Sequence, residues 1–93
     1  MPTKTAYFFK CFSHQSRNEL LRLLAENGAM TVESLAEATG LAPSTASRHL
    51  GLLKKEGVVD VRVESPNHYY YLKVETIIER WNEFLDFLKI ERT

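Results

Sequence analysis

The side chains with the clearest capacity for chemistry fall together in the stretch Leu41-Ala42-Pro43-Ser44-Thr45-Ala46-Ser47-Arg48-His49-Leu50-Gly51-Leu52-Leu53-Lys54-Lys55-Glu56-Gly57. Proline suits the first position of a helix, where its missing N–H costs nothing. Glycine suits the residue just past the end, where the chain turns left-handed. The stretch therefore predicts a helix from Pro43 to Glu56. At about 100° per residue, Ala46, Leu50 and Leu53 share one narrow face, and Ser44, Ser47, Arg48, Gly51 and Lys55 share the opposite one. Short hydroxyl side chains followed by an arginine, at the positive end of a helix dipole, are the groups that reach base edges and phosphates in a DNA major groove. On that reading Ser44, Thr45, Ser47 and Arg48 contact DNA, and His49, at the edge of the apolar face, either touches DNA or braces the helix. A solvated surface face would carry the same residues, so the helix alone leaves both readings open. Gly51 costs a helix roughly 1 kcal/mol against alanine, a cost that close approach of DNA would explain.

Other chemistries find little support. Cys11 is the single cysteine and has no partner for an internal disulfide, which favours a cytoplasmic protein over a secreted one. It reads as a small buried apolar residue or as a thiol sensor. His14, His49 and His68 lie on three different elements without ligand spacing, so neither a metal site nor a cofactor is expected. No Gly-rich phosphate loop or nucleophile–base motif appears, so no enzyme is expected. Twelve basic and twelve acidic residues cancel, but their placement is uneven. Arg48, Lys54 and Lys55 face only Glu56 in the Pro43 helix, whereas Glu75, Glu79, Glu83, Asp86 and Glu91 outnumber Arg80, Lys89 and Arg92 after it. A local basic footprint, rather than net charge, would attract a polyanion.

The elements that must position this helix follow in chain order. A chain of 93 residues, 44% of them hydrophobic, predicts one domain over residues 1–93, small enough to benefit from an oligomer interface. Lys4 to Phe12 is apolar on nearly every side, with Ala6, Tyr7, Phe8, Phe9, Cys11 and Phe12, so a helix there must be covered on more than one face. Ser13 and Ser16 are both suitable N-caps for a second helix over about Gln15 to Glu26, ended by Asn27-Gly28. Thr31 caps a short third helix, which buries Val32, Leu35 and Ala36 and ends at Gly40. Two short helices joined by a tight turn form a helix-turn-helix whose second helix enters the groove. After Gly57 the period becomes two. Val59, Val61 and Val63 alternate with Asp60, Arg62 and Glu64, Ser65-Pro66-Asn67-His68 forms a turn, and Tyr69 to Val74 forms a second strand. That hairpin makes a wing, with Arg62, Asn67 and His68 near enough to reach DNA. The last helix, Thr76 to Ile90, carries a wide stripe of Ile77, Ile78, Trp81, Phe84, Leu85 and Leu88, extended by Phe87. It either covers the domain's own core or pairs with the first helix across a two-fold axis, through Tyr7, Phe8, Cys11, Ile78, Trp81, Leu85 and Leu88. No run approaches the roughly 20 apolar residues needed to cross a bilayer, and Met1-Pro2-Thr3-Lys4 opens no signal-peptide pattern.

Phe9 to Arg17, the run Ser44-Thr45-Ala46-Ser47-Arg48-His49-Leu50, Lys54 to Val59 and Tyr69-Tyr70-Tyr71-Leu72 together resemble the arsenic-repressor (ArsR-type) winged-helix transcriptional regulators. The likeness spans nearly the whole chain and keeps the element order. It implies a mainly α winged helix-turn-helix with a small antiparallel β-hairpin. It also implies a homodimer formed by the first and last helices, an inverted-repeat double-stranded DNA operator, and repression of transcription. Where metal sensors of that family place two cysteines, this chain has Thr31 and Glu33, and its last helix has carboxylates but no histidine. The family's frequent Gly-Arg wing tip is replaced by Ser65-Pro66-Asn67-His68. Members without metal sites respond to other ligands, to oxidation or to a partner protein, so an unidentified effector stays open. The competing reading is an interaction module that docks a partner protein through Tyr69–Tyr71 and the aromatic last helix, without DNA.

Overall fold

The computed structural model describes residues 3–89. The described elements run α1 (Thr3–Lys10), α2 (Gln15–Asn27), β1 (Met30–Thr31), α3 (Val32–Thr39), α4 (Pro43–Lys55), β2 (Val59–Glu64), β3 (Asn67–Leu72) and α5 (Val74–Leu88). The expected end of the last helix at Ile90, and the opening Met1-Pro2, lie outside the described residues.

Local chemistry accounts for most boundaries. Thr31 caps α3 by accepting the Ser34 amide, and Gly40 ends it in the left-handed region. Ala42 stands at the N-cap of α4 with Pro43 next to it. At the other end, the Gly57 amide donates to the Lys54 carbonyl and the Val58 amide to the Leu53 carbonyl, each at 3.0 Å. With Gly57 at φ 77°, this is the paired hydrogen-bond closure that a C-terminal glycine permits, and it folds buried Val58 back against the helix. The N-cap of α2 differs from expectation: neither Ser13 nor Ser16 serves. The cap is His14, whose Nδ1 accepts the Ser16 amide, while the Ser13 hydroxyl turns back to the Lys10 carbonyl.

Three further boundaries move. The first helix stops at Lys10, and Cys11 and Phe12 form the turn after it. Asn67 and His68 belong to β3, paired with Glu64 and Val63, so the hairpin turn is Ser65-Pro66 alone. The last helix starts at Val74 rather than Thr76. A third strand joins the expected hairpin: β1 pairs antiparallel with β3, Met30 opposite Tyr70 and Thr31 opposite Tyr69, giving the order β1-β3-β2.

The core lies where α2, α3 and α4 meet the base of the sheet. Leu20, Leu24, Leu35, Leu50, Leu53, Val58 and Val59 are all buried there, and Phe8 and Cys11 of the first segment close it from above. The longest dimension is 44 Å against 23 and 20 Å, and the radius of gyration is 14.2 Å, above the roughly 12 Å of a compact chain this size. The elongation matches α5: none of its residues is buried, and it meets the rest mainly where Phe84 and Trp81 stack edge-on against Phe9 of α1.

Candidate nucleic-acid interface

Ala46, Leu50 and Leu53 are buried and fix the roll of α4, which turns Ser44, Ser47, Arg48, Gly51, Lys54 and Lys55 to solvent. Thr45 is half-buried beside them, and Leu52 is exposed a turn further on. Arg48 is exposed and makes no hydrogen bond or ion pair among the described residues, so its guanidinium can take an external acceptor. Lys54 and Lys55 close the last turn, where cations complement the carbonyl end of the helix dipole.

His49 does not belong to this exposed edge. It is only 8% exposed, its Nδ1 accepts from Arg17 Nε at 3.3 Å, and its ring lies 4.8 Å from that of His14. Burial first, then the nearby His14, Arg17 and Arg48, hold its pKa below the ordinary 6.5. Of its two expected roles, the structure supports the brace and not the DNA contact. Sequence reasoning missed this His14–Arg17–His49 junction, because 32 positions separate Arg17 from His49. The available signal was a histidine standing directly before a helix start, where a side-chain acceptor can cap.

The wing divides the residues assigned to it. Arg62 and Asn67 share one face of the hairpin with Tyr69, while His68 shares the other with Val63 and Tyr70. Arg62 is engaged on its own face, paired with Glu64 and lying 5.5 Å over the Tyr69 ring. His68 turns toward α4. Together with Asn67, Pro66, Tyr70, Val32, Glu33 and Ser47 it lines a cleft of about 270 Å³ between wing and recognition helix. Tyr69, Tyr70 and Tyr71 are all half-buried in the sheet and present no aromatic docking platform.

At the opposite end, two residues expected in a subunit seam are placed differently. Phe8 and Cys11 are buried within the protomer's own core, so they lie beneath any seam and do not line it. Burial pushes the Cys11 thiol up to about 11, with Glu56 adding to the rise. Tyr7, Ile78, Trp81, Phe87 and Leu88 remain exposed, and Leu85 is half-buried. The polar side of α5 pairs largely within itself, Arg80 meeting Glu83 at 3.1 Å and Glu79 at 3.9 Å. Among the described residues no three His, Cys, Asp or Glu side chains converge as metal ligands, and no helix is long and apolar enough to cross a membrane.

A helix-turn-helix of α3 and α4 followed at once by a two-stranded wing defines a winged helix-turn-helix DNA-binding domain. Residues 14–61 match the family model described as bacterial regulatory protein, arsR family. The chain is 39% identical over 83 residues to an HTH-type transcriptional regulator of Methanocaldococcus jannaschii, covering 86% of this chain and 93% of that protein. It is 33% identical over 66 residues to the cadmium resistance transcriptional regulatory protein CadC of Listeria innocua, covering 71% of this chain and 56% of that protein. Among solved structures, the homodimeric winged helix-turn-helix DNA-binding domain from Mycobacterium bovis superimposes with a TM-score of 0.74 at 31% identity, over 88% of this chain and 76% of that one. The transcriptional repressor BigR from Xylella fastidiosa gives 0.69 at 26%, over 96% and 89%. The chain belongs to the arsR family of bacterial regulatory proteins, and it is a DNA-binding transcriptional regulator.

Proposed function

We propose that the chain acts in the cytoplasm as a homodimeric repressor, one domain per protomer, that binds an inverted-repeat operator with one α4 in each of two major grooves. The observation that carries this reading is the exposed, unpaired edge of Ser44, Ser47 and Arg48 on a helix whose roll is fixed by buried Ala46, Leu50 and Leu53. These residues occupy the first two turns, the part that meets base edges when a helix-turn-helix docks N-terminus first. Arg48 reads a guanine through its O6 and N7 acceptors. Ser44, Thr45 and Ser47 share base-edge and phosphate contacts, and Lys54 and Lys55 add charge further along. His68 and Asn67 approach the backbone from the wing, while Arg62 must first leave Glu64 to do so.

The seam between protomers is formed by the exposed apolar side of α5, with Ile78, Trp81, Leu88 and the edge of Leu85, together with Tyr7 of α1. The homodimeric M. bovis neighbour supports a dimer, and BigR, named a repressor, supports the direction of regulation. This reading assigns no catalysis, cofactor or metal, and leaves the effector open.

Selecting duplexes from a randomised pool with the full chain, and weighing the free protein by light scattering, tests the proposal. Enriched sequences should be imperfect palindromes with half-sites about one helical turn apart, and the free mass should be twice that of one chain. A monomer at micromolar concentration, or enrichment of a single half-site, would refute it.

A further inference from the structure

Beneath α4, three helical elements meet on one guanidinium. Arg17 of α2 donates from Nη1 to the Lys10 carbonyl at the end of α1, at 2.7 Å, and from Nε to Nδ1 of His49 in α4, at 3.3 Å. Beside it lies His14, whose Nδ1 accepts the Ser16 amide at 3.2 Å and caps α2. A guanidinium can only donate, so Nδ1 of His49 must be bare and that imidazole neutral while the Arg17 bond stands. We propose that Arg17 is a positioning residue for DNA recognition, tying α4 to the α1 end of the protomer, and that proton uptake at His49 releases α4, so that acid weakens operator binding.

The step is a protonation from solvent. A proton added to Nδ1 of His49 sets an N–H against the Arg17 Nε–H, and that bond is lost. The charged and titratable groups acting on His49 are His14 from the connecting turn, Arg17 from α2 and Arg48 from α4 itself. Cys11, in the turn after α1, lies within reach of the same Arg17 charge. No carboxylate acts on His49 to favour its cation.

The direction of the effect follows from linkage. With α4 seated, the His49 pKa is lowered. With α4 released, it returns toward 6.5. The released state therefore binds the proton more tightly, and the seated state, fully favoured above pH about 6.5, loses ground as pH falls below it. Ordinary charge effects have the opposite sign. A cation added at a DNA-facing surface tightens binding.

The proposal rests on the DNA-reading role of α4 given above, and the experiment separates the two. A labelled duplex selected by the wild-type protein at pH 7.5 is titrated by fluorescence anisotropy from pH 8 to pH 5.5 at fixed ionic strength, with circular dichroism at each pH. The expected result is a Kd that rises from pH 7.5 to pH 5.5, by up to about tenfold per protomer, with the helical signal retained. His49→Gln, whose amide oxygen can accept from Arg17 but which does not titrate, should lose most of that rise. If it fails to fold, His14→Asn, which keeps a capping acceptor and removes one of the groups that lower the His49 pKa, should shrink the rise instead. Arg17→Lys, unable to make both bonds, should bind more weakly at pH 7.5 with an unchanged salt slope, whereas loss of a direct phosphate contact would lower that slope by about one. Wild-type binding that tightens or stays flat in acid, a wild-type profile in the folded histidine variant, or a lowered slope in Arg17→Lys would overturn the proposal. Failure to select any duplex at pH 7.5 would overturn the reading of α4 itself, and the proposal with it.

Discussion

Replacing Trp81 with aspartate should dissociate the dimer. Trp81 keeps 49% of its surface exposed in the protomer, which for a side chain of up to about 250 Å² is roughly 120 Å². Covering that area across a two-fold axis is worth about 3 kcal/mol per copy at ~25 cal/mol per Å², or about 6 kcal/mol for both copies. Loss of that amount raises the dimer dissociation constant by roughly four powers of ten, and the carboxylate adds the cost of desolvating a charge. Part of the indole also rests on Phe9 and Phe84 within the same protomer, so a thermal melt must accompany the mass measurement. Light scattering over a range of concentrations should show wild-type dimers and Trp81→Asp monomers at the same micromolar concentration, with operator affinity falling in parallel. Val63→Asp supplies the control, because Val63 is 59% exposed but sits on the wing, and this variant should stay dimeric. A folded Trp81→Asp protein whose dimer constant lies within about tenfold of wild type would refute the assignment of α5 to the seam.

Arg48→Ala should weaken the selected operator by about 1–3 kcal/mol per half-site, and a scrambled duplex far less, if the side chain reads a base. Equal weakening of both in anisotropy titrations, with the salt slope lowered by about one, would assign Arg48 to phosphate instead. Gly51→Ala separates folding from recognition: an added Cβ there meets nothing within 4 Å in the protein. The melt should therefore rise, by about 1 kcal/mol in stability, while operator binding falls severalfold; an unchanged affinity would mean that DNA does not approach Gly51 closely. Zinc, cadmium or arsenite at stoichiometric levels should shift operator affinity by no more than a few-fold, since Thr31 and Glu33 supply no thiolate and Cys11 is buried with its thiol held protonated. Metal-driven release of the labelled duplex would contradict this.

The parts of the fold legible in the sequence are those whose boundaries are set by neighbours in the chain. Thr31 and Gly40 for α3, and Pro43 and Gly57 for α4, act within four residues of what they terminate, and each stands where it was expected. The valine alternation of β2 likewise marks a strand, although only Val59 at its base is buried and Val63 at the wing tip is exposed. Parts settled by distant contacts were not legible. A two-residue strand such as β1 is too short for any period, and only its pairing with Tyr69 and Tyr70 creates it. The apolar first helix announced that several faces needed cover, but not which residues would face inward. Phe8 and Cys11 went to the core and Tyr7 to solvent because α1 packs with Phe9 against α5. His14 and His49 stood on separate elements, and only the packing of α2 against α4 brings their rings together.

Charge shows why geometry, and not composition, carries the recognition. The chain is formally neutral, so long-range attraction to DNA is weak and nonspecific binding gains little from net charge. The cations that remain unpaired on the reading helix are Arg48, Lys54 and Lys55, while Arg62 is held by Glu64 on the wing and Arg80 by Glu79 and Glu83 on α5. Glu33 also lines the cleft between α4 and the wing. With few free cations on α4 among the described residues, the proposed contacts of Ser44, Ser47 and Arg48 would depend on how closely α4 approaches their acceptors. A helix on which binding depends in this way gains more from being held rigidly than from added charge. The Lys10–Arg17–His49 join supplies that rigidity at the turn of α4 that carries Arg48.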